Sequence, residues 1–169
     1  MQIRRVLSPL GITLYSLIVI GILGFTMGCG PIPGFHVSGI DMTPPDWVPS
    51  ANYTYKVVVT MKFNRAVDIQ TFNTPTTIKI DLEGSDDGRI MPDIVGTFRA
   101  SNDGKTIVFI SDQTLADLVK PQAGEDIIYT ITVIGSGETK VTDVNGEALD
   151  GNLDGKPGGD YRKTIKVIG

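Results

Sequence analysis

The stretch Tyr53-Thr54-Tyr55-Lys56-Val57-Val58-Val59-Thr60-Met61-Lys62-Phe63 decides the fold class of this chain. From residue 55 onward every second side chain is apolar, and most of the side chains between them are polar. Successive side chains of a β-strand point to opposite faces, so a period of two predicts a strand with one buried face. The same alternation returns at Ile78, Ile80 and Leu82.

Shorter apolar runs on both sides of this stretch carry a strand signal, at 35–40, 94–98, 105–110, 127–134 and 161–168. Asn102-Asp103-Gly104 lies between two of them, and an Asp-Gly pair between apolar runs is a strong hairpin signal. About seven short strands separated by turn residues predict an all-β fold, an immunoglobulin-like antiparallel β-sandwich. One short helix is predicted over residues 114–119, and Pro121 prevents it from continuing.

The composition fits one globular domain with an ordinary core. The chain has 169 residues, of which 41% are hydrophobic and 20% are charged, as expected for a chain that buries a core. The formal net charge is −4, and it becomes −6 when residues 1–28, with Arg4 and Arg5 and no acid, are removed. Because an acidic chain is repelled by phosphate backbones, we predict no nucleic-acid partner.

The first 28 residues have the layout of an export signal. Arg4 and Arg5 are followed by an uncharged, strongly apolar run that ends at Gly28, immediately before Cys29. A positive segment, an apolar run and a small residue, in that order, are typical of a cleavable signal segment. The alternatives are an uncleaved transmembrane helix, since about 20 apolar residues span a bilayer, and an ordinary secretory signal.

Thr26-Met27-Gly28-Cys29 resembles the lipobox of bacterial lipoproteins, although Thr26 stands where a leucine-like residue is usual. The resemblance implies that the Cys29 thiol takes a diacylglyceryl group and that cleavage leaves Cys29 as the lipidated N-terminus. We therefore divide the chain into a lipoprotein signal peptide (1–28), a Pro/Gly tether (29–35) and one β-sandwich domain (36–169). The predicted location is the cell envelope, with the lipid on Cys29 as the membrane contact.

Four later segments occur in a fixed order: Val57-Val58-Val59-Thr60-Met61-Lys62-Phe63-Asn64-Arg65-Ala66-Val67-Asp68, Ser101-Asn102-Asp103-Gly104-Lys105-Thr106-Ile107-Val108-Phe109, Tyr129-Thr130-Ile131-Thr132-Val133 and Val141-Thr142-Asp143-Val144-Asn145-Gly146-Glu147-Ala148-Leu149. Together they resemble the bacterial Ig-like domain of the SbsA S-layer type, over about residues 36–169. The chain departs from that pattern in a longer loop at 112–125 and a Gly/Asp-rich insertion at 150–160. The resemblance implies a structural or adhesive module of the envelope, without catalysis, whose partner is an envelope protein or a surface polysaccharide. Exposed strand edges and the loops 83–92, 112–126 and 150–160 are the predicted contact surfaces.

Asp150-Gly151-Asn152-Leu153-Asp154-Gly155 is the strongest local signal for a bound ion. Oxygen-bearing side chains at alternate positions, followed by Gly, form a loop that can surround a hard cation. We predict a calcium site from Asp150, Asn152, Asp154 and Asp160, with a stabilising role. The alternative is a plain turn, because Asp and Gly dominate turns. A calcium-stabilised carbohydrate-binding accessory domain of a secreted hydrolytic system is accordingly the alternative function.

No catalytic residue is predicted. His36 is the only histidine, and neither His-Glu-x-x-His nor Gly-x-Ser-x-Gly occurs. The acids Asp81, Glu83, Asp86 and Asp87 surround a predicted turn, so a two-carboxylate enzyme site is only a third alternative. Trp47 either plugs the open end of the sandwich or stacks on a ligand.

Overall fold

The computed structural model describes residues 34–43, 55–84, 88–119 and 125–167, all within the unit Pro31–Gly169. Within these residues the chain forms eight strands: β1 (Val37–Thr43), β2 (Lys56–Phe63), β3 (Ile78–Gly84), β4 (Ile90–Met91), β5 (Gly96–Ala100), β6 (Thr106–Thr114), β7 (Ile127–Val133) and β8 (Tyr161–Val167). A 3-10 turn at Ile69–Thr71 and a helix, α1, at Leu115–Leu118 complete the elements. The predicted signal segment 1–28, Cys29, Trp47, Asp86 and Asp87 lie outside the described residues.

The strands form two four-stranded sheets that pack face to face. The first sheet has the order β1-β2-β6-β5 and the second has the order β4-β3-β7-β8, and all paired strands are antiparallel. This is the strand order of the immunoglobulin fold. The first sheet corresponds to immunoglobulin strands A, B, E and D, and β3, β7 and β8 correspond to C, F and G. The short β4 is an additional strand beside β3. The predicted all-β sandwich is confirmed. The strand beyond the predicted seven is β4, which has two residues and is too short to show a periodicity.

The core consists of the inward side chains predicted by the period of two. On β2, Val57, Val59 and Met61 are fully buried, while the residues between them face outward. The second sheet supplies the same pattern, and Ile80 on β3 lies opposite Ile131 on β7. Fully burying one such side chain contributes about 1.5–3 kcal/mol, so this alternation is the main source of stability.

A chain of aromatic rings crosses this core. Successive ring centroids lie 5.5, 5.8, 5.6 and 5.3 Å apart along Phe35, Phe63, Phe72, Phe98 and Phe109. Aromatic pairs at such spacing add about 0.5–1.5 kcal/mol each beyond the area they bury. The predicted strand at 35–40 therefore begins two residues late, because Phe35 packs into this aromatic chain instead of pairing in the sheet.

The predicted helix at 114–119 is confirmed as one short turn. Thr114 accepts a hydrogen bond from the backbone N–H of Asp117, and the Asp117 carboxylate accepts one from the backbone N–H of Thr114. This reciprocal capping box satisfies two N–H groups that a helix start leaves without intrahelical partners.

Candidate functional site

The 134–160 loop, between β7 and β8, contains all four residues of the predicted calcium site. It is fully described, and an isolated bridge between Val67 and Asp143 joins it to the segment that follows β2. Two further bridges, Thr142 with Ala148 and Asp150 with Gly158, hold it together. The loop is therefore ordered by specific contacts although it contains no strand of its own.

Asp143 is the first anchor of this loop. Its side chain is only 1% exposed, and its Oδ1 accepts hydrogen bonds of 2.9 Å from the backbone N–H groups of Asn145 and Glu147. The guanidinium of Arg65 lies 3.5 Å from Asp143 Oδ2 and also pairs with the Glu147 carboxylate. The carboxylate thus joins the 134–160 loop to the turn after β2.

The electrostatics of this cluster favour the ionised acid. Burial alone would raise the pKa of Asp143, but the N–H groups of Glu147 and Asn145, with Arg65, hold that pKa below its ordinary value. The hydrogen bond to Glu147 in turn raises the pKa of Arg65. Both shifts favour the charged forms of Asp143 and Arg65, whose contact links the two segments.

Asp150 is the second anchor. It is 2% exposed, and its two carboxylate oxygens accept from the backbone N–H groups of Asp154 and Gly155 at 3.1 and 2.9 Å. Its own backbone N–H donates to the carbonyl of Phe35 at 2.6 Å. Asp150 therefore closes the turn 150–155 and fixes it to the segment that leads into β1.

The structure shows hydrogen bonds among three of the four predicted calcium ligands, while the carboxylate of the fourth has other partners. Asn152 Nδ2 donates to Asp154 Oδ2 at 3.0 Å, beside the Asp150 carboxylate, within one turn. Asp160 instead accepts from Ser136, through both the backbone N–H and the hydroxyl, at 3.2 and 2.7 Å. Among the described residues no group of three or more His, Cys, Asp or Glu side chains is placed to hold a metal ion. The calcium site stays a prediction, and the observed contacts are those of turns.

The same end of the sandwich receives the chain from the predicted tether. The carbonyl of Gly34 accepts from Asn64 Nδ2 at 2.9 Å and from His36 Nδ1 at 2.8 Å. A Cβ at Gly34 would lie 3.1 Å from Asp150 Cβ, so any side chain there, even that of alanine, would require Asp150 to shift slightly. The only histidine of the chain therefore makes a structural contact that fixes Gly34.

A second feature is a depression of about 130 Å³ on the outer face of the second sheet, which we call the outer-face depression. It is lined by Asp81, Leu82, Glu83, Ile90, Ile128, Thr130 and Arg162. Ile90 is 61% exposed, and Asp81 Oδ1 accepts from the backbone N–H of Asp93 at 3.0 Å. The depression includes part of the predicted contact loop 83–92. It offers two carboxylates, a guanidinium, a hydroxyl and apolar side chains to a partner.

Sequence reasoning missed a buried ion pair beside this depression. Glu125, with a fully buried side chain, accepts from Arg89 Nη2 at 2.6 Å. The pair joins the residue that precedes β4 to the segment that leads into β7. The available signal was Gly84 at an inward strand position, where a Cβ would lie 2.3 Å from Glu125 Oε1; a glycine inside a strand often marks such a close approach.

No protein-family model and no curated protein matches this chain. The similarity to SbsA-type Ig-like domains stays a prediction based on the four segments. Among the described residues no helix is long and apolar enough to cross a membrane.

Replacing Asp143 by Asn is expected to destabilise the fold at pH 7 by about 1–3 kcal/mol, because a buried hydrogen-bonded charge is lost. Since the pKa of Asp143 is lowered in the fold, its stabilising effect is complete above its unfolded pKa of about 3.9 and declines as the pH falls through the folded value. When urea unfolding is measured from pH 7 to pH 2, the free energy of unfolding should decrease less with falling pH in Asp143→Asn than in the unsubstituted protein. The control is Glu138→Gln, which replaces an exposed acid in the same loop. An equal pH dependence of the unfolding free energy in the two variants would contradict the stabilising role of Asp143.

Thermal unfolding in about 1 mM calcium, against chelator, tests the predicted calcium site. Calcium at about ten times its Kd stabilises a fold by about 1.4 kcal/mol, so a real site raises the Tm. This rise should disappear in Asp154→Asn. An unchanged Tm in the unsubstituted protein contradicts the site and leaves a turn closed by backbone N–H groups.

Proposed function

We propose that this protein is a lipid-anchored, Ig-like module of the cell envelope that holds or binds a partner without catalysis. The observation that carries the proposal is the fixation of Gly34, five residues after Cys29. Asn64 and His36 both donate to the Gly34 carbonyl, and Asp150 packs against this residue. A lipid on Cys29 would therefore hold the folded sandwich on a short link, which is what an anchored envelope module needs.

The acidic side chains of the 134–160 loop accept hydrogen bonds within the domain, and this supports a binding or structural role. The carboxylates of Asp143 and Asp150 accept backbone N–H groups, and Asp160 accepts from the backbone and hydroxyl of Ser136. These acids shape the loop. The recognition surface that we propose is instead the outer-face depression, whose 130 Å³ is small beside the roughly 300–1,000 Å³ of pockets that enclose a small molecule. Its size suits one contact within a larger interface, with an envelope protein or a surface polysaccharide.

The depression extends away from the tether end. Ile134 donates its backbone N–H to the carbonyl of Thr77 at 2.8 Å, so the first residue of β3 lies beside the 134–160 loop. Glu83 is five residues further along β3, about 17 Å away at the usual rise of a strand. Most of the proposed binding surface therefore lies on the half of the domain that is remote from the anchor.

The alternative function, a carbohydrate-binding accessory domain of a secreted hydrolytic system, is favoured by the chemistry of the same depression. Carboxylate, guanidinium and hydroxyl groups are good hydrogen-bonding partners for sugar hydroxyls. Ile90 and Ile128 add apolar surface beside them. Retention on a polysaccharide column without an envelope-protein partner would favour this alternative.

Metabolic labelling with a palmitate analogue tests the anchor. The full chain, produced in a bacterium that processes lipoproteins, is expected to take up the label and to sediment with membranes. Cys29→Ala removes the acceptor thiol, so label and sedimentation should both be lost. Equal labelling of the two chains would contradict lipidation at Cys29.

Charge reversal at the outer-face depression tests the binding surface. Arg162→Glu should weaken capture of an envelope protein or retention on surface polysaccharide by about tenfold or more, because a charged contact becomes repulsive. The matched control is Arg99→Glu on β5, an equally exposed arginine on the other sheet. Equal binding by both variants would place recognition elsewhere on the domain.

A further inference from the structure

Two of the large apolar side chains that are mostly exposed lie in the 134–160 loop. Val144 is 63% exposed and Leu153 is 60% exposed. Leu153 also has a φ of +59°, in the left-handed region that glycine and asparagine occupy more readily than leucine. An exposed apolar residue in an unfavourable backbone conformation points to a contact outside the domain.

Hydrogen bonds hold both side chains in fixed positions. The Asp150 carboxylate accepts from Asp154 and Gly155, immediately after Leu153. Val144 donates its backbone N–H to the carbonyl of Ala66 at 3.1 Å, beside the buried Asp143. The loop therefore presents two apolar side chains on an ordered backbone.

Chain connectivity places Leu153 near the point where the tether meets the domain. Asp150 Cβ lies 3.1 Å from where a Cβ on Gly34 would stand. Leu153 is three residues from Asp150, so its Cα lies within about 17 Å of the Cα of Gly34. Val144 belongs to the same loop segment as Glu147, which accepts the backbone N–H of Phe35 at 3.3 Å.

The length of the tether then limits the distance to the bilayer. Cys29 is five residues before Gly34, and five extended residues span at most about 17 Å. Pro31 and Pro33 favour a stiff, extended chain of about 3.1 Å per residue. If Cys29 carries the lipid, this end of the sandwich cannot move far from the membrane surface.

We propose that the end of the domain formed by the 134–160 loop rests on the bilayer interface, with Leu153 and Val144 contacting lipid. This inference depends on the proposed lipidation of Cys29. The nearby Asp143 and Asp150 are buried and hydrogen-bonded, whereas Glu138, Asp154, Lys156 and Asp160 in the same loop are exposed. The exposed charges of the loop are therefore net negative, and charge attraction to an anionic surface does not contribute to the contact. The contact is apolar and weak by itself, and the anchor supports it by keeping the loop at a high effective concentration near the lipid.

Position-specific fluorescence in the full, membrane-bound chain tests the contact. Leu153→Cys is labelled with a polarity-sensitive fluorophore in membranes that contain spin-labelled lipids. Cys29 is the only native cysteine, so when it carries the lipid the introduced thiol is the only one that reacts. The control is Gln113→Cys, at an exposed position on β6. Thr106, where β6 begins, lies at the tether end of the sandwich, and residue 113 is about 23 Å further along the strand.

We expect several-fold stronger quenching of the probe at residue 153 than of the probe at residue 113, with shallow spin labels more effective than deep ones. Equal quenching at both positions would overturn the proposal. A probe at residue 153 that is shielded from aqueous iodide but not quenched by lipid spin labels would also overturn it, because a protein would then cover the loop. Val144→Cys provides a second probe if the Leu153 variant does not fold.

The unsubstituted chain separates the two proposals. If it takes up palmitate and resists the thiol reagent, the anchor is supported, and weak quenching at residue 153 then overturns only the orientation. If it takes up no palmitate and its thiol reacts, lipidation fails and the orientation proposal fails with it.

Discussion

The structure depends on the rule that a buried carboxylate must be paired with hydrogen-bond donors. The 134–160 loop is long and has no strand, and such a segment is ordered only by contacts that outweigh its conformational entropy. Asp143 and Asp150, both almost fully buried, supply these contacts by accepting the backbone N–H groups of the loop itself. Each also joins the loop to another part of the domain, Asp143 through Arg65 and Asp150 through the carbonyl of Phe35.

The fold could be predicted from the sequence because the period of two is a local pattern with one interpretation. The contacts of the candidate site could not be predicted in the same way, because the Asp/Asn pattern at 150–154 has two interpretations. Alternating Asp and Asn side chains from Asp150 to Asp154 point oxygens into a turn, and those oxygens serve a cation or backbone N–H groups equally well. The structure shows the N–H contacts. The pair of Arg65 with Glu147 spans 82 residues, so no local spacing reveals it.

One edge of the second sheet is protected against the addition of another strand. Lys163 lies on the edge strand β8 and points inward, where its Nζ donates to the carbonyl of Ile40 on β1 at 2.9 Å. This contact closes the side of the sandwich between the two sheets, and an inward charge on an edge strand disfavours the addition of another strand. For this reason the recognition surface that we propose is a sheet face, where the outer-face depression lies, and not this edge.

The position of that depression affects which partner can reach it only if the domain has a fixed orientation. A loosely tethered sandwich would present every face equally, and the location of a binding surface would matter little. Here the segment at Gly34 and Phe35 is held by Asn64, Asp150 and the aromatic chain, so it is fixed to the rest of the domain. If Cys29 carries the proposed lipid, a rigid domain on a short link keeps its anchored end toward the membrane. The residues of β3 most distant from that end are then the ones that the proposed partner can reach.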